Sequence, residues 1–506
     1  MSLPINILEL FTAGKKEEGV ALAAPERKPL TYAALASHAA ETVRRLNHLG
    51  IGRQNRVAMV LPNGPEMAAA FLAVTSAATA APLNPSYRAE EFDFFLTDLR
   101  ADALLIGAGA DSPAIAVARS RSIPVIDLVP EPEREAGLFS LRGSSSGAAP
   151  ATAAGAGDVA LMLHTSGTTS RPKLVPLTHR NLCASARNIA ATLSLAPADR
   201  ILHVMPLFHI HGLVAGLLAP LLAGGSVFCT PGFNALKFFA WMEEARPTWY
   251  SAVPTMHQAI LARADRNREV IARSPLRFIR SSSASLPPQV MAKLEGTFSA
   301  PVIEAYAMTE SAHQMASNPL PPRQRKPGSV GVAAGPEVTV LDAKGNILPA
   351  GQTGEVAIRG ENVMQGYENN PEANAAAFTN GWFRTGDQGV MDENGYLRIT
   401  GRLKEIINRG GEKISPREVD EVLLSHPAVA QALTFALPHE KLGEEVAAAI
   451  VLREDKTITE QELRDFAAGR LADFKVPRRI VFLGEIPIGS TGKLQRIGLA
   501  QRLGLA

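Results

Sequence analysis

LMLHTSGTTSRPKLVPL, spanning Leu161 to Leu177, decides how the rest of the chain is read. An apolar run from Val159 to Leu163 gives way to Thr165, Ser166, Gly167, Thr168, Thr169 and Ser170, followed by Arg171, Pro172 and Lys173. That order suits a strand delivering a phosphate-gripping loop. Small residues let consecutive backbone N–H groups turn toward one anion, hydroxyls add donors, and the lysine supplies a point charge. The GxxxxGK[ST] spacing of a Walker A loop is absent. Composition alone favours a plain surface turn, so the surrounding chain has to supply the distinction.

Upstream of the loop the pattern alternates. Thr31 is placed to cap a helix whose apolar positions Leu35, Ala39, Val43 and Leu46 share one face, with Gly50 ending it. RVAMVLP reads as a strand, Gly64 to Ser76 as a helix, Ala80 to Leu83 as a strand, Ala89 to Leu99 as a helix and ADALLIG as a strand. Strands alternating with helices of this length predict an α/β fold with largely parallel, doubly wound sheets. Ser140 to Gly157, rich in Gly, Ser and Ala, reads as a loop or tether. Downstream the alternation resumes with a helix from His179 to Leu193, the strand-like ILHVMPLFH, a buried helix near Leu217, SVFCTP, a helix around Phe238, and TWYSAVPT.

After about Gly331 the signals become short strands separated by turns (VTVLDAKGNIL, GEVAIRG, GYLRITG), which predict a smaller β subdomain. From Arg402 a compact tail follows with strand, helix, strand, strand, helix and strand signals. In it Ser415, Pro416 and Glu418 read as a capping box with proline at the first helical position. The expected boundary falls at Gly401 to Lys404, giving an N-terminal domain over 1–401 and a small α+β C-terminal domain over 402–506.

Length and composition limit what this fold serves. A chain of 506 residues exceeds one hydrophobic core. A net charge of +2 gives no field strong enough to hold nucleic acid or a membrane surface by itself. Cys183 and Cys229 make no disulfide framework and read as buried small hydrophobes. The start, MSLPINILELFTAG, lacks the features of a signal peptide. The most apolar window, Gly212 to Gly225, is shorter than the ~20 residues that span a bilayer and holds a central proline. The ending QRLGLA is not a peroxisomal address, so a cytoplasmic location is expected.

Five further stretches stand beside the loop: HVMPLFHIHGL (His203 to Leu213), FIRSSSASL (Phe278 to Leu286), EAYAMTE (Glu304 to Glu310), WFRTGDQG with GYLRITGRLKE (Trp382 to Glu405), and STGKLQR (Ser490 to Arg496). In order and spacing, over essentially the whole chain, they resemble the adenylate-forming acyl-CoA synthetase superfamily. Within it, PLFHIHGL, TWYSAVPT, IRSSSASL and EAYAMTESAH are most similar to the oxalate–CoA ligases. The resemblance implies two reactions at one site, using ATP, Mg²⁺ and coenzyme A: a carboxylate displaces pyrophosphate from ATP to form an acyl-adenylate, and a thiol then displaces AMP.

Residue roles follow from the matching positions. Thr165, Ser166, Gly167, Thr168, Thr169 and Lys173 are expected to hold the β- and γ-phosphates. Thr309 is expected beside the phosphate, and Glu310 on Mg²⁺. Ser283, Ala284 and Ser285 resemble the segment along adenine, and Tyr306, within Glu304, Ala305, Tyr306, Ala307 and Met308, the residue that stacks on it. Asp387 and Arg402 resemble the groups that hold the ribose. Lys493 resembles the lysine that reaches the carboxylate and α-phosphate during adenylation. The tail is implied to rotate about Lys404 afterwards, bringing Asn408 to Ser415 to the active site.

For the acid, His209, His211, Ser283, His313 and Arg280 are expected near the acyl pocket. Ser283 and His313 would hold the remote carboxylate of a small dicarboxylic acid such as oxalate, with His211 at the acyl–phosphate junction. Two residues depart from the common pattern: Leu174 stands where glycine is usual after the loop lysine, and Ala307 replaces the glycine of YGxTE. The added methyl of Ala307 would shorten the acyl pocket. A malonate or medium-chain acyl-CoA ligase would share every nucleotide motif, and a nucleotide-binding scaffold is the non-enzymatic alternative.

Overall fold

The computed structural model describes residues 4–144, 147–150, 152–165, 172–487 and 495–506. Ser166, Gly167, Thr168, Thr169 and Lys493 lie outside the described residues. The chain divides into two compact units, one built from Met1–Thr165, Lys173–Glu337 and Arg359–Ala376, the other mainly from Val338–Ile358 and Ala377–Ala506.

The first unit carries two doubly wound sheets. A seven-stranded sheet runs Phe139–Arg142, Val125–Pro130, Ala103–Gly107, Arg56–Val60, Thr79–Pro82, Val159–His164, Leu174–Thr178. Its inner strands pair parallel and its two edges antiparallel. The helix Pro65–Ala77 is buried on every side and packs against strands of both sheets. Its sequence, PEMAAAFLAVTSA, leaves no polar stripe for water, as a helix with no exposed face requires.

The nine-stranded sheet runs Val332–Ala333, His313–Ser317, Val302–Met308, Phe278–Ser281, Trp249–Ala252, Arg200–His203, Ser226–Cys229, Val20–Ala23, Leu30–Thr31. From Arg200–His203 the chain moves first to Ser226–Cys229 on one side and then to Trp249–Ala252 on the other. The end of Arg200–His203 is therefore a topological switch point, where doubly wound sheets leave a crevice. Register places His203, Ser251 and Arg280 in one row across three parallel strands, so their side chains share a face.

The second unit holds two smaller sheets. One joins Glu337–Leu341, Thr353–Arg359, Trp382–Met391, Phe378–Thr379 and Leu397–Arg402. The other joins Glu412–Ile414, Ile407–Arg409, Gly443–Leu452, Val429–His439 and Arg479–Phe482, with Pro416–Leu424 and Glu460–Ala468 covering its apolar face. This is the α+β tail expected from the sequence.

Four local readings change. Ser140 to Arg142 are not loop but belong to the edge strand Phe139–Arg142, because alternation buries Phe139 and Leu141. The strand in ILHVMPLFH stops at His203. The buried helix after it begins as a π-helix over His211–Leu218 before becoming α over Ala219–Leu222. Ser415 and Glu418 do not form the capping box: the Ser415 hydroxyl bonds the Thr400 carbonyl, and the Glu418 carboxylate takes Lys475 at 2.7 Å. A stronger partner on a neighbouring element displaced each half of the local motif.

Candidate active site

Antiparallel pairing of Val159–His164 with Leu174–Thr178 brings the two ends of the loop together. Thr165 N–H donates to the Lys173 carbonyl at 2.8 Å, and Lys173 N–H donates to Thr165 Oγ1 at 3.1 Å. Leu174 starts the second strand with its side chain buried. Extended backbone needs no glycine, which accounts for the departure from the usual residue here.

Lys173 Nζ lies 4.3 Å from the centroid of the Tyr367 ring, whose hydroxyl donates to Glu310 Oε1 at 2.9 Å. One tyrosine thus joins the loop lysine to the carboxylate expected on magnesium. Glu310 is buried in the short turn Thr309–Ser311, and Met364 N–H donates to its carbonyl. Sequence reasoning missed Tyr367. Its GYENN setting holds nothing but an aromatic residue after a glycine, and only the fold shows what the ring touches.

The strand Val302–Met308 leaves the core at Tyr306, so Tyr306, Ala307, Met308 and Thr309 are half-buried while Glu304 and Ala305 are buried. Glu304 Oε1 accepts the Leu286 N–H at 3.0 Å, which fastens the turn carrying Ser283, Ala284 and Ser285. Ser283 adopts φ +71°, and Ala284 and Ser285 are exposed. Beyond Glu310 the chain turns through Ala312 (φ +49°) and His313 (φ +102°). Such values in residues with a Cβ cost about 1–3 kcal/mol each. Here Asn362 Nδ2, donating to the Ser311 and Gln314 carbonyls at 2.8 and 3.0 Å, holds the turn in place.

That turn stacks His313 on His211, with ring centroids 4.8 Å apart and planes 23° from parallel. His211 opens the π-helix and lies 3.0 Å from Ser283 Oγ through Nδ1 and 2.6 Å from Ser251 Oγ through Nε2. Arg280 Nη1 is 3.4 Å from the same Nε2, and Nη2 donates to Gln314 Oε1 at 3.3 Å. Arg280 and His313 are fully buried and His211 is 2% exposed. Two glycines permit this approach: a Cβ at Gly212 would overlap the Pro206 carbonyl, and one at Gly216 would overlap the His203 ring. His203 Nε2 in turn lies 2.9 Å from the Gly212 carbonyl.

Burial, and then the neighbouring His313 and Arg280, hold the His211 pKa well below the ordinary histidine value, so the ring is neutral. Burial pulls Arg280 down only to about 9, which leaves the guanidinium charged at neutral pH. Gln314 lies outside the quoted stretches, while Ser251 lies in TWYSAVPT and Arg280 in FIRSSSASL without a contact assigned to either. Their contacts emerge only from the fold, with Ser251 and Arg280 aligned by strand register.

In the second unit, Asp387 and Arg402 are cross-strand partners, with Arg402 Nε donating to Asp387 Oδ1 at 2.9 Å. Asp387 is buried and receives its position from the Thr385 hydroxyl, which accepts the Asp387 N–H at 3.1 Å. Lys404 sits in the short turn Leu403–Glu405. Arg496, three residues after Lys493, is fastened to Glu405 at 3.1 Å and Asp420 at 2.6 Å.

The fold and the family models agree on the class: the chain belongs to the AMP-binding enzyme family, whose model matches residues 11–368, while the AMP-binding enzyme C-terminal domain matches residues 418–493. The chain is 46% identical to the oxalate–CoA ligase of Arabidopsis thaliana over 499 residues, covering 96% of this chain and 97% of that one. It is 43% identical to the oxalate–CoA ligase of Saccharomyces cerevisiae over 475 residues, covering 89% and 87%. Among solved structures it is similar to ATP-bound MatB from Rhodopseudomonas palustris, with a TM-score of 0.89, 30% identity and 98% of both chains covered. Among the described residues no helix is long and apolar enough to cross a membrane.

Proposed function

We propose that the chain is an ATP-dependent acid–CoA ligase whose acid is oxalate, converting oxalate, ATP and coenzyme A to oxalyl-CoA, AMP and diphosphate. The observation that carries the choice of acid is the buried polar cluster of His211, Ser251, Ser283 and Arg280 with His313 stacked against it. A fatty acyl chain needs an apolar tunnel, whereas a small dicarboxylate needs donors at the end that does not react.

In the first half-reaction one carboxylate oxygen of the acid attacks the α-phosphorus of ATP, and the bond to the bridging oxygen breaks to release diphosphate. The resulting mixed anhydride has AMP as its leaving group. In the second, the coenzyme A sulfur attacks the acyl carbon, the thiol proton is lost and AMP departs. Residues 165–169 and Lys173 hold the outer phosphates, and Thr309 meets the phosphate chain. Ser283 to Ser285 and Tyr306 flank adenine, and Asp387 with Arg402 holds the ribose hydroxyls. Ser283 and His313 hold the remote carboxylate, with His211 beside the reacting one.

Magnesium fits this donor set. Among the described residues no group of three or more His, Cys, Asp or Glu side chains gathers to form a cage. A single buried carboxylate, Glu310, braced by Tyr367, suits an ion that is held by one or two carboxylates and the substrate's phosphates. Bound there, it neutralises phosphate charge that would otherwise repel the incoming carboxylate. Lys493 adds the last positive group, and residues 402–506 rotate about Lys404 between the half-reactions.

The test is oxalate-dependent exchange of labelled diphosphate into ATP without coenzyme A, followed by mass-spectrometric detection of oxalyl-CoA when the thiol is added. Exchange that ignores oxalate would end this reading.

A further inference from the structure

Arg280 is a fully buried guanidinium that makes no ion pair among the described residues. None of the remaining residues is Asp or Glu. Glu304, on the neighbouring strand, pairs with Ser281 rather than Arg280 and so alternates to the other face of the sheet. The partners Arg280 has are neutral: Ser251 Oγ at 3.5 Å, His211 Nε2 at 3.4 Å and Gln314 Oε1 at 3.3 Å. The Gln314 amide is fixed with its oxygen toward the guanidinium, because its nitrogen donates to Thr192 Oγ1 and the Ala334 carbonyl. A buried cation costs several kcal/mol unless an anion joins it. The Arg280 guanidinium therefore lies among His211, Ser251 and Gln314 with a charge that no carboxylate among the described residues pairs.

The same contacts orient hydrogens. A guanidinium only donates, so a proton on His211 Nε2 would point at a donor. Nε2 is therefore the lone-pair nitrogen, facing Arg280 Nη1 and accepting from the Ser251 hydroxyl at 2.6 Å. The ring proton then sits on Nδ1 and is donated to Ser283 Oγ, 3.0 Å away. With its oxygen accepting from the ring, Ser283 has its own proton left to give.

We propose that Arg280 is a specificity-determining positioning residue: its uncompensated charge and its grip on the His211 tautomer make Ser283 a donor toward the acid and select small acids that carry a second negative group. This rests on the oxalate reading above and adds to it the feature that sets substrate charge. Oxalate, doubly ionised at neutral pH, satisfies it; oxamate, the same shape with a neutral amide at the remote end, does not.

The experiment measures kcat and KM for diphosphate exchange with oxalate, oxamate, sulfoacetate and octanoate in the wild type, Arg280→Gln and Arg280→Lys. Arg280→Gln is expected to lower the oxalate-to-oxamate ratio of kcat/KM by about a hundredfold, the size expected for losing a charge-assisted contact. The change should fall on the oxalate KM, with the ATP KM unchanged, and Arg280→Lys should restore part of the ratio. A folded Arg280→Gln with an unchanged ratio overturns the proposal while leaving the oxalate reading intact. A wild type that ignores oxalate yet adenylates sulfoacetate overturns the oxalate reading alone, and one that favours oxamate or octanoate overturns both. The tautomer is read independently in the wild type from ¹⁵N–¹H correlations of the histidine rings, with His211 assigned by its absence from His211→Gln. A proton on Nε2 overturns the proposal even if Arg280→Gln does not fold.

Discussion

Replacing Tyr367 separates two contacts that one side chain makes. Its hydroxyl bonds the Glu310 carboxylate at 2.9 Å, and its ring lies under Lys173 Nζ at 4.3 Å. Tyr367→Phe removes only the first. A hydrogen bond to a charged group contributes about 1.5–3 kcal/mol, which is roughly a 10- to 150-fold effect on the equilibrium or rate it supports. Since Glu310 is the proposed magnesium ligand, the loss should appear as a rise of at least about tenfold in the Mg²⁺ concentration that half-activates diphosphate exchange. Tyr367→Leu removes the ring as well. The cation–π contact adds about 0.5–2 kcal/mol, and its loss should show as a further rise in the ATP KM. Exchange measured across a magnesium titration at saturating oxalate, with melting curves to confirm folding, reports both effects. A folded Tyr367→Phe with wild-type magnesium dependence would refute the reasoning, and so would a Tyr367→Leu no worse than Tyr367→Phe.

Lys493→Ala is expected to abolish acyl-adenylate formation while sparing thioester formation from supplied oxalyl-adenylate; equal loss of both half-reactions would count against a role confined to adenylation. His313→Ala should raise the oxalate KM by about tenfold or more, the loss of one or two hydrogen bonds to an anion, while leaving the ATP KM alone, as initial-rate kinetics will show. His179 is buried, accepts the Ile7 N–H at 3.1 Å, and has its pKa depressed by burial from 6.5 to about 4. Its neutral form is the folded one, so its contribution is complete above the unfolded pKa and is lost as pH falls from 6.5 toward 4. The loss is about 3 kcal/mol, since each tenfold change in proton affinity is worth about 1.4 kcal/mol. Urea midpoints should therefore drop between about pH 7 and 4.5 in the wild type and drop less in His179→Gln; parallel curves would exclude the histidine.

Much of this architecture was legible because strand and helix periods alternate without long interruption. The first six alternations, from the Thr31 cap to ADALLIG, agree with the elements formed. The π-turn at His211 was not legible. It depends on close approaches at Gly212 and Gly216 that only the folded neighbours create. The capping signature at Ser415 failed for the converse reason, since Thr400 and Lys475 outcompete the local partners. Within the site, His211, Ser283, His313 and Glu310 were found from motifs. Arg280 was expected near the acyl pocket, but its contacts and the other supports were not legible: Ser251 and Arg280 meet His211 through strand register, Gln314 meets Arg280 through a bulge, and Tyr367 reaches Glu310 across 57 positions of sequence. Motifs name the groups expected to meet ligands, whereas the groups that orient them are fixed by tertiary packing.

AMP release with oxalate, malonate or octanoate, each with and without coenzyme A, tests the assignment most directly. Oxalate should give the highest kcat/KM, with multiple turnovers only when coenzyme A is present. Faster turnover of octanoate, or AMP release indifferent to the acid supplied, would contradict it.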